Sequence, residues 1–296
     1  MTTLAAAVRA PLTTERRPAA AATFILLGLI NICIFGLLSH HGDASFDFSQ
    51  PGLGVKIPVI RIPAAPTCFV LGAISIGLGV ARATVPFSQR GKRLALAAVL
   101  LCLLVSVLCW ADAGEIAINL INLVQGTLVT SIPLTLGALA GCLCERSGVI
   151  NIAIEGQLLF GAFTAAIVAS AFGGLWVGLV AGSLAGGLVG LLLAVFAITF
   201  LMDQIILGVV LNVLALGMTD YLYDRLMAQN PNYNTGSSFG AIKIPGLAQI
   251  PVIGPIFFDS NIFLYITYVA VIGIQVALFS SRWGLRVRAV GEHPTA

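Results

Sequence analysis

The chain has 296 residues, of which 58% are hydrophobic and only 9% are charged, and its formal net charge is +3. A soluble domain carries about a quarter charged residues, so this composition excludes an ordinary water-exposed surface. The mean hydropathy of +1.03 indicates that lipid is the solvent for most of the chain. We therefore expect an all-α, polytopic transmembrane helix bundle with about eight spans of about 20 residues each.

Apolar segments follow one another along the chain, separated by polar or glycine-rich stretches. We place the spans at about residues 19–38, 67–81, 94–111, 116–143, 151–172, 175–201, 204–222 and 261–279. Pro133 interrupts the fourth span, where it removes a backbone hydrogen bond and tends to kink the helix. Two long polar loops are expected at about residues 40–66 and 227–260, and the second is rich enough in Asn, Pro and Gly to predict little regular helix.

The basic residues fall mainly on one side of this eight-span arrangement. With residues 1–18 as a cytoplasmic tail, 11 of the 15 basic residues face the cytoplasm, including a basic connection that holds Arg82, Arg90, Lys92 and Arg93. The outer side then holds only Lys56, Arg61, Arg225 and Lys243. Because cytoplasmic loops carry an excess of Lys and Arg, we expect a cytoplasmic N-terminus, outer loops at 40–66 and 227–260, and a cytoplasmic segment at 280–296.

The first of three polar segments runs from Cys144 to Gly156 and contains Glu145, Asn151 and Glu155. Charged groups near hydrocarbon are costly unless they are paired or hydrated, so they tend to mark solute pathways. Two structures remain possible for this segment: a solvated cytoplasmic loop, or a broken helix that presents backbone dipoles to a solute. A helix that starts near Asn151 as its N-cap would place Asn151 and Glu155 on one face.

The second polar segment contains Asp203 and Gln204, with Asn212 further on in the following span. Asp203 is most simply explained as a residue at a helix start, next to the positive end of the helix dipole. The Asn212 amide lies within an apolar helix and needs a partner from a neighbouring helix or a solute. The candidates for a solute pathway are therefore Glu145, Asn151, Glu155, Asp203, Gln204 and Asn212.

The third polar segment follows the last span, where charged and apolar residues alternate after Trp283. This segment is either a basic anchor with Trp283 at the membrane interface or a docking element for a soluble partner. The candidates for docking are Arg286, Arg288, Gly291, Glu292, His293 and Pro294.

The sequence has no Gly-x-x-x-x-Gly-Lys-Ser/Thr loop that could bind nucleotide phosphates. It also shows no catalytic or metal-binding arrangement, so we expect a transporter subunit and not an enzyme. No metal, no cofactor on this chain and no nucleic-acid partner are expected. Any ATP-driven work would require an ATPase on a separate chain.

Three runs, Cys144–Gly156, Asp203–Asn212 and Gly284–Pro294, resemble in the same order the bacterial ABC-transporter permeases for nucleosides and simple sugars. These permeases are related to the ribose and branched-chain amino acid permeases. The resemblance implies a multi-pass subunit of the bacterial cytoplasmic membrane. It also implies three partners: a second homologous permease, a cytosolic ABC ATPase and an extracytoplasmic substrate-binding lipoprotein.

The same resemblance implies that residues 286–294 lie in or beside the element that the ATPase engages, and that the solute is a nucleoside or a simple sugar. Family members continue past this tail, so we expect the chain to end before the family's remaining spans. Two other functions are open. The chain could be an ion-coupled secondary transporter that uses Glu115, Asp203, Asp220 or Asp224, or a non-transporting scaffold whose basic tail recruits a soluble protein.

Overall fold

The structure is a computed structural model that describes residues 17–38, 42–49, 58–113, 117–235 and 238–293, with only the backbone described at Arg17. Within these residues, eight helices are long and apolar enough to cross a membrane. They are Pro18–Gly36, Ala64–Thr84, Gln89–Ala111, Leu120–Arg146, Ile154–Phe172, Leu175–Thr199, Gln204–Met227 and Ile262–Ser280. The predicted all-α polytopic bundle with eight spans is confirmed. The chain divides into two compact units, Met1–Leu123 and Val124–Ala296.

Three membrane helices build the first unit: α1 (Arg17–Ile30), α2 (Ala64–Thr84) and α3 (Gln89–Ala111). The first of them continues as a π-helix over Asn31–Gly36. α1 and α2 approach closely because a glycine of each helix faces the other. A Cβ atom on Gly28 would lie 2.8 Å from the carbonyl oxygen of Gly72. Small residues at such crossings allow the backbone contacts that hold helices together in lipid.

The basic residues expected in the connection between the second and third spans lie within the helices instead. α2 ends at Thr84 and α3 begins at Gln89, where the Ser88 hydroxyl accepts a hydrogen bond from the Gly91 N–H at 3.1 Å. The spans therefore extend further than hydropathy predicts. In α3, the exposed Arg90 and Arg93 can place their charged ends in water from within the helix. Arg82 of α2 is instead buried, and its guanidinium carbon lies 5.7 Å from the centroid of the Phe87 ring.

A small sheet occupies part of the loop expected at 40–66. β1 (Asp43–Asp47) pairs antiparallel with β2 (Ile60–Pro63) and parallel with β3 (Ile118–Asn119). A buried carboxylate at the end of α3, Asp112, accepts a hydrogen bond from the Ser45 N–H. These strands were not predicted, and residues 64–66 belong to α2 and not to the loop. His40, His41 and Lys56 lie outside the described residues.

The second unit contains the helices α4 (Leu120–Arg146), α5 (Ile154–Phe172), α6 (Leu175–Ala194) and α7 (Gln204–Leu222). π-Helical turns extend α6 through Thr199 and α7 through Met227. Pro133 lies inside α4, which nevertheless continues as one helix to Arg146.

The loop expected at 227–260 contains little regular structure, as predicted. Its elements are a 3₁₀ turn (Pro231–Tyr233), β4 (Ile242–Lys243), the six-residue α8 (Ile253–Phe258) and β5 (Asp259–Ser260). The two strands pair antiparallel, and the Lys243 ammonium lies 3.2 Å from the Asp259 carboxylate. The last membrane helix, α9 (Ile262–Ser280), is followed by the shorter α10 (Arg282–Glu292). That final helix was not predicted.

Candidate functional site

The three polar segments of the sequence meet at one end of the second unit. We call this region the polar junction and define it as residues 145–156, residues 203–212 and α10. The junction brings together the end of α4, the beginnings of α5 and α7, and the helix that follows α9. Its geometry rests on hydrogen bonds between side-chain amides and backbone groups, and on close contacts of glycines.

The connection between α4 and α5 is a compact turn. α4 ends at Arg146, the Ser147 hydroxyl donates to the Cys144 carbonyl at 2.7 Å, and the Val149 N–H donates to the same carbonyl at 3.0 Å. Gly148 has a φ angle of +83°, in the left-handed region that favours glycine. The segment therefore joins two separate membrane helices, and the sequence had left this arrangement open beside a broken helix.

Asn151 does not cap α5, so the prediction of a cap at this residue is wrong. The helix begins three residues later at Ile154, and Asn151 and Glu155 do not share a helix face. The Asn151 amide instead pairs reciprocally with the Gln157 amide, at 3.4 Å in each direction. A local sequence pattern suggested the cap, but packing against α7 determines where the helix starts.

Asn212 satisfies the start of α5 from the neighbouring helix α7. Its amide oxygen accepts a hydrogen bond from the Gly156 N–H at 2.7 Å, and its amide nitrogen donates to the Ile152 carbonyl at 3.0 Å. Glycines allow the two helices to come this close: a Cβ atom on Gly156 would lie 2.8 Å from the Asn212 amide oxygen. The sequence left two kinds of partner open for the Asn212 amide, a neighbouring helix or a solute, and the structure shows bonds to the start of α5 and the residue before it.

The beginning of α7 adds a second link to the same connection. The Gln204 amide oxygen accepts a hydrogen bond from the Ile150 N–H at 2.7 Å. Asp203 is the N-cap of α7, since its carboxylate accepts from the N–H groups of Ile205 and Ile206 at 2.9 and 3.0 Å. The explanation of Asp203 as a helix-start residue is confirmed.

The two glutamates of the first segment differ from these amides because both side chains are exposed. Glu145 and Glu155 line an open groove of about 600 Å³ between α4 and α5, together with Pro133, Gly137 and Cys142. Asp203 is exposed as well, but one of its carboxylate oxygens caps α7, so Glu145 and Glu155 are the two exposed candidates that line the groove.

A second cavity, of about 430 Å³, lies between α4, α5 and α6 and was not predicted from the sequence. Glycine and alanine dominate its wall, and Gln157 and Ser183 contribute polar groups. Gln157 could have been found by the argument used for Asn212, since it too is an amide within an apolar helix. The spacing of the small residues along α6 was the other available signal.

α10 packs against α9 and against the α4–α5 connection through two glycines. Gly284 is buried against the carbonyl groups of Ala277 and Leu278 in α9, and Gly291 packs against the Arg146 carbonyl and Gly148. The Ser281 hydroxyl caps the helix by accepting from the Gly284 N–H at 3.0 Å. The third polar segment is therefore in direct contact with the first.

The docking candidates on α10 face in two directions. Arg286, Glu292 and His293 are exposed. Arg288 is half-buried: its guanidinium carbon lies 5.3 Å from the centroid of the Phe279 ring, and its Nε donates to the Gly284 carbonyl at 3.4 Å. Gly291 faces the α4–α5 connection, and Pro294 lies outside the described residues.

The eight spans and the polar junction define the class of this protein as a polytopic α-helical protein of the cell membrane. The chain belongs to the family described as branched-chain amino acid transport system / permease component, whose model matches residues 123–296. The matched region contains all three segments of the polar junction.

Curated relatives are permeases from bacteria and an archaeon. The chain is 41% identical over 181 residues to the guanosine ABC transporter permease protein NupQ of Bacillus subtilis. This alignment covers 59% of this chain and 57% of that protein. It is 33% identical over 189 residues to the nucleoside ABC transporter permease protein NupC of Lactococcus lactis, covering 60% and 59%. It is 30% identical over 175 residues to the putative glucose ABC transporter permease protein TsgC13 of Haloferax volcanii, covering 58% and 52%.

The alignments therefore span between 52% and 59% of the length of these three relatives. No solved structure matches the chain significantly.

Proposed function

We propose that the chain acts as a membrane-embedded permease subunit of an ATP-driven importer for nucleosides or related simple sugars. The observation that carries this proposal is the meeting of the three polar segments in one junction, within the residues that match the permease family. The names of the relatives support the solute class: two of the three relatives described above are permeases for guanosine or nucleosides, and the third is a putative glucose permease.

The polar junction is proposed to face the cytoplasm. Within the second unit, the junction end holds Arg146, Arg282, Arg286 and Arg288. Arg225 lies in the π-helical turn at the opposite end of α7, and Lys243 lies in the loop that follows. This distribution follows the excess of basic residues on the cytoplasmic side of membrane proteins. The loop at 227–260 then faces outward, towards a substrate-binding lipoprotein.

The exposed face of α10 is proposed to contact a cytosolic ABC ATPase, with Arg286, Glu292 and His293 available on that face. Movement of α10 would reach α4 through the contact of Gly291 with Arg146, and α7 through the hydrogen bonds of the α4–α5 connection. The permease in this scheme supplies a pathway and a mechanical link, while ATP is bound and hydrolysed on the partner.

The solute is proposed to pass between this chain and a second homologous permease. Glu145 and Glu155 line the open groove on α4 and α5, and Gln157 and Ser183 line the smaller cavity. Asn151, Asp203, Gln204 and Asn212 are engaged in hydrogen bonds within the junction, so their proposed contribution to the pathway is to position its helices.

Uptake of a radiolabelled nucleoside by cells that express the chain with its partner subunits tests this function. Depleting ATP while the ion gradients across the membrane are maintained is expected to abolish accumulation, because the driving force comes from the ATPase. Continued accumulation would contradict the proposal and indicate an ion-coupled secondary transporter. Stable binding of a soluble partner without any solute uptake would instead indicate a scaffold.

A further inference from the structure

Two arginines from different helices converge on one aromatic ring at the end of α9. The guanidinium carbons of Arg288 and Arg146 lie 5.3 and 6.0 Å from the centroid of the Phe279 ring. Each cation is attracted to the face of the ring, but the two like charges repel each other. In the described part of the second unit, Lys243 and Asp259 form an ion pair. Within the same residues, neither Arg146 nor Arg288 has a carboxylate partner.

An exposed apolar stripe leads along α9 to this pair of arginines. Val269, Ile272, Val276 and Phe279 are 71%, 66%, 54% and 48% exposed. Their spacing of three, four and three residues places them on one face of the helix. From Val269 to Phe279 the stripe is about 15 Å long at 1.5 Å per residue. This length equals half of a hydrocarbon core of about 30 Å, which is the thickness of one leaflet.

We propose that this surface binds one anionic phospholipid of the leaflet at the junction end of the protein. The phosphodiester lies between Arg146 and Arg288, and an acyl chain follows the α9 stripe. The two guanidinium groups bind the phosphodiester through charge-assisted and often bidentate hydrogen bonds. They favour a headgroup of net negative charge, because the ammonium group of a zwitterionic headgroup is repelled by the two cations. The inference depends on insertion in the membrane and is independent of the transported solute.

Two of the three arginines of α10, Arg286 and Arg288, have different surroundings. Arg286 is exposed, whereas Arg288 turns back towards the end of α9 and donates to the Gly284 carbonyl. The contact of Gly291 with the Arg146 carbonyl holds α10 beside the end of α4. A bound lipid would therefore join α4, α9 and α10, the helices that form one side of the polar junction.

Native mass spectrometry of the purified full-length chain, titrated with phosphatidylglycerol or phosphatidylethanolamine of identical acyl chains, tests the proposal. Phosphatidylglycerol is expected to bind about tenfold more tightly, as two arginines near a phosphate each contribute a several-fold preference. The double variant Arg146→Gln, Arg288→Gln is expected to lose this preference. Arg225→Gln is the matched control because Arg225 also stacks on one ring, that of Tyr221 at 5.7 Å, and no second arginine of the described residues stacks on that ring.

Equal binding of the two lipids by the unaltered chain would overturn the proposal, and this comparison does not require any variant to fold. Retention of the preference by the double variant would also overturn it. Inorganic phosphate at millimolar concentration is not expected to displace the lipid, because it leaves the apolar stripe uncovered; displacement would show a simple anion site. If the double variant loses binding of a cytosolic protein but keeps the lipid preference, the arginines form a protein contact instead.

Discussion

Two side-chain amides of α7 bind backbone groups of the α4–α5 connection. Gln204 accepts from the Ile150 N–H, and Asn212 binds both Gly156 and Ile152. The first N–H groups of any α-helix lack a partner within the helix. Where water is scarce, each of them is costly to leave unpaired. The amides of α7 therefore stabilise both the start of α5 and the conformation of the turn before it.

Replacing Asn212 with leucine tests this role. Asn212→Leu keeps a side chain of similar size but removes both hydrogen bonds, so we expect it to lower the free energy of unfolding by about 1–3 kcal/mol. The measurement is unfolding in detergent followed by circular dichroism. Val213→Ala is the control, because Val213 is 64% exposed on the same helix. Equal stability of the two variants would contradict the role of Asn212.

The sequence predicted part of this arrangement at the level of single residues. An amide in an apolar helix needs a partner, so it could be expected that Asn212 bonds either to a neighbouring helix or to a solute. The partner itself could not be predicted, since Gly156 lies 56 residues away along the chain. For the same reason the cap at Asn151 was predicted wrongly: the group that satisfies α5 comes from α7.

At the scale of helices, glycines at every fourth position bring α6 onto α5. Gly178, Gly182 and Gly186 all lie on the face of α6 that contacts α5. A Cβ atom on Gly182 would lie 2.6 Å from the Gly161 carbonyl oxygen and 2.8 Å from the Ala165 Cβ. Such close backbone approach replaces the hydrophobic drive that is missing between helices in lipid.

Replacing each of two glycines of α6 with alanine distinguishes the effect of close packing on stability from the effect of helix propensity. Gly182→Ala is expected to destabilise the protein by about 1–3 kcal/mol, because the added methyl group meets backbone that cannot move away easily. Gly187→Ala has no atom within 4 Å of the added Cβ, so it should be neutral or slightly stabilising. Thermal unfolding in detergent compares them directly. If both variants behave alike, close packing at Gly182 is not important for stability.

The spacing of these glycines is visible in the sequence, but the distinction between Gly186 and Gly187 is not. Both are neighbours in the chain, and only the orientation of α6 shows which one faces α5. Helix ends were also difficult to predict. Hydropathy ends a span at the first arginine, whereas Arg82 and Arg90 both lie within helices, Arg90 exposed and Arg82 buried beside Phe87.

At the scale of the whole molecule, the membrane spans could be predicted from the sequence more completely than the polar junction. Eight spans could be predicted because lipid imposes both length and apolarity on each helix. The three polar segments could be found separately, but their meeting depends on glycine contacts and amide hydrogen bonds between distant parts of the chain. The exposed face of α10 follows from the same contacts, which leave Arg286 outward and turn Arg288 inward.

Co-purification with the proposed partner, a cytosolic ABC ATPase, tests the central claim most directly. Arg286→Glu reverses a charge on the exposed face of α10 and is expected to reduce recovery of the ATPase about tenfold or more, since like charges across an interface are strongly unfavourable. Arg225→Glu makes the same change at the opposite end of α7 and should leave recovery unchanged. Full recovery of the ATPase with Arg286→Glu, or an equal loss with both variants, would contradict the account.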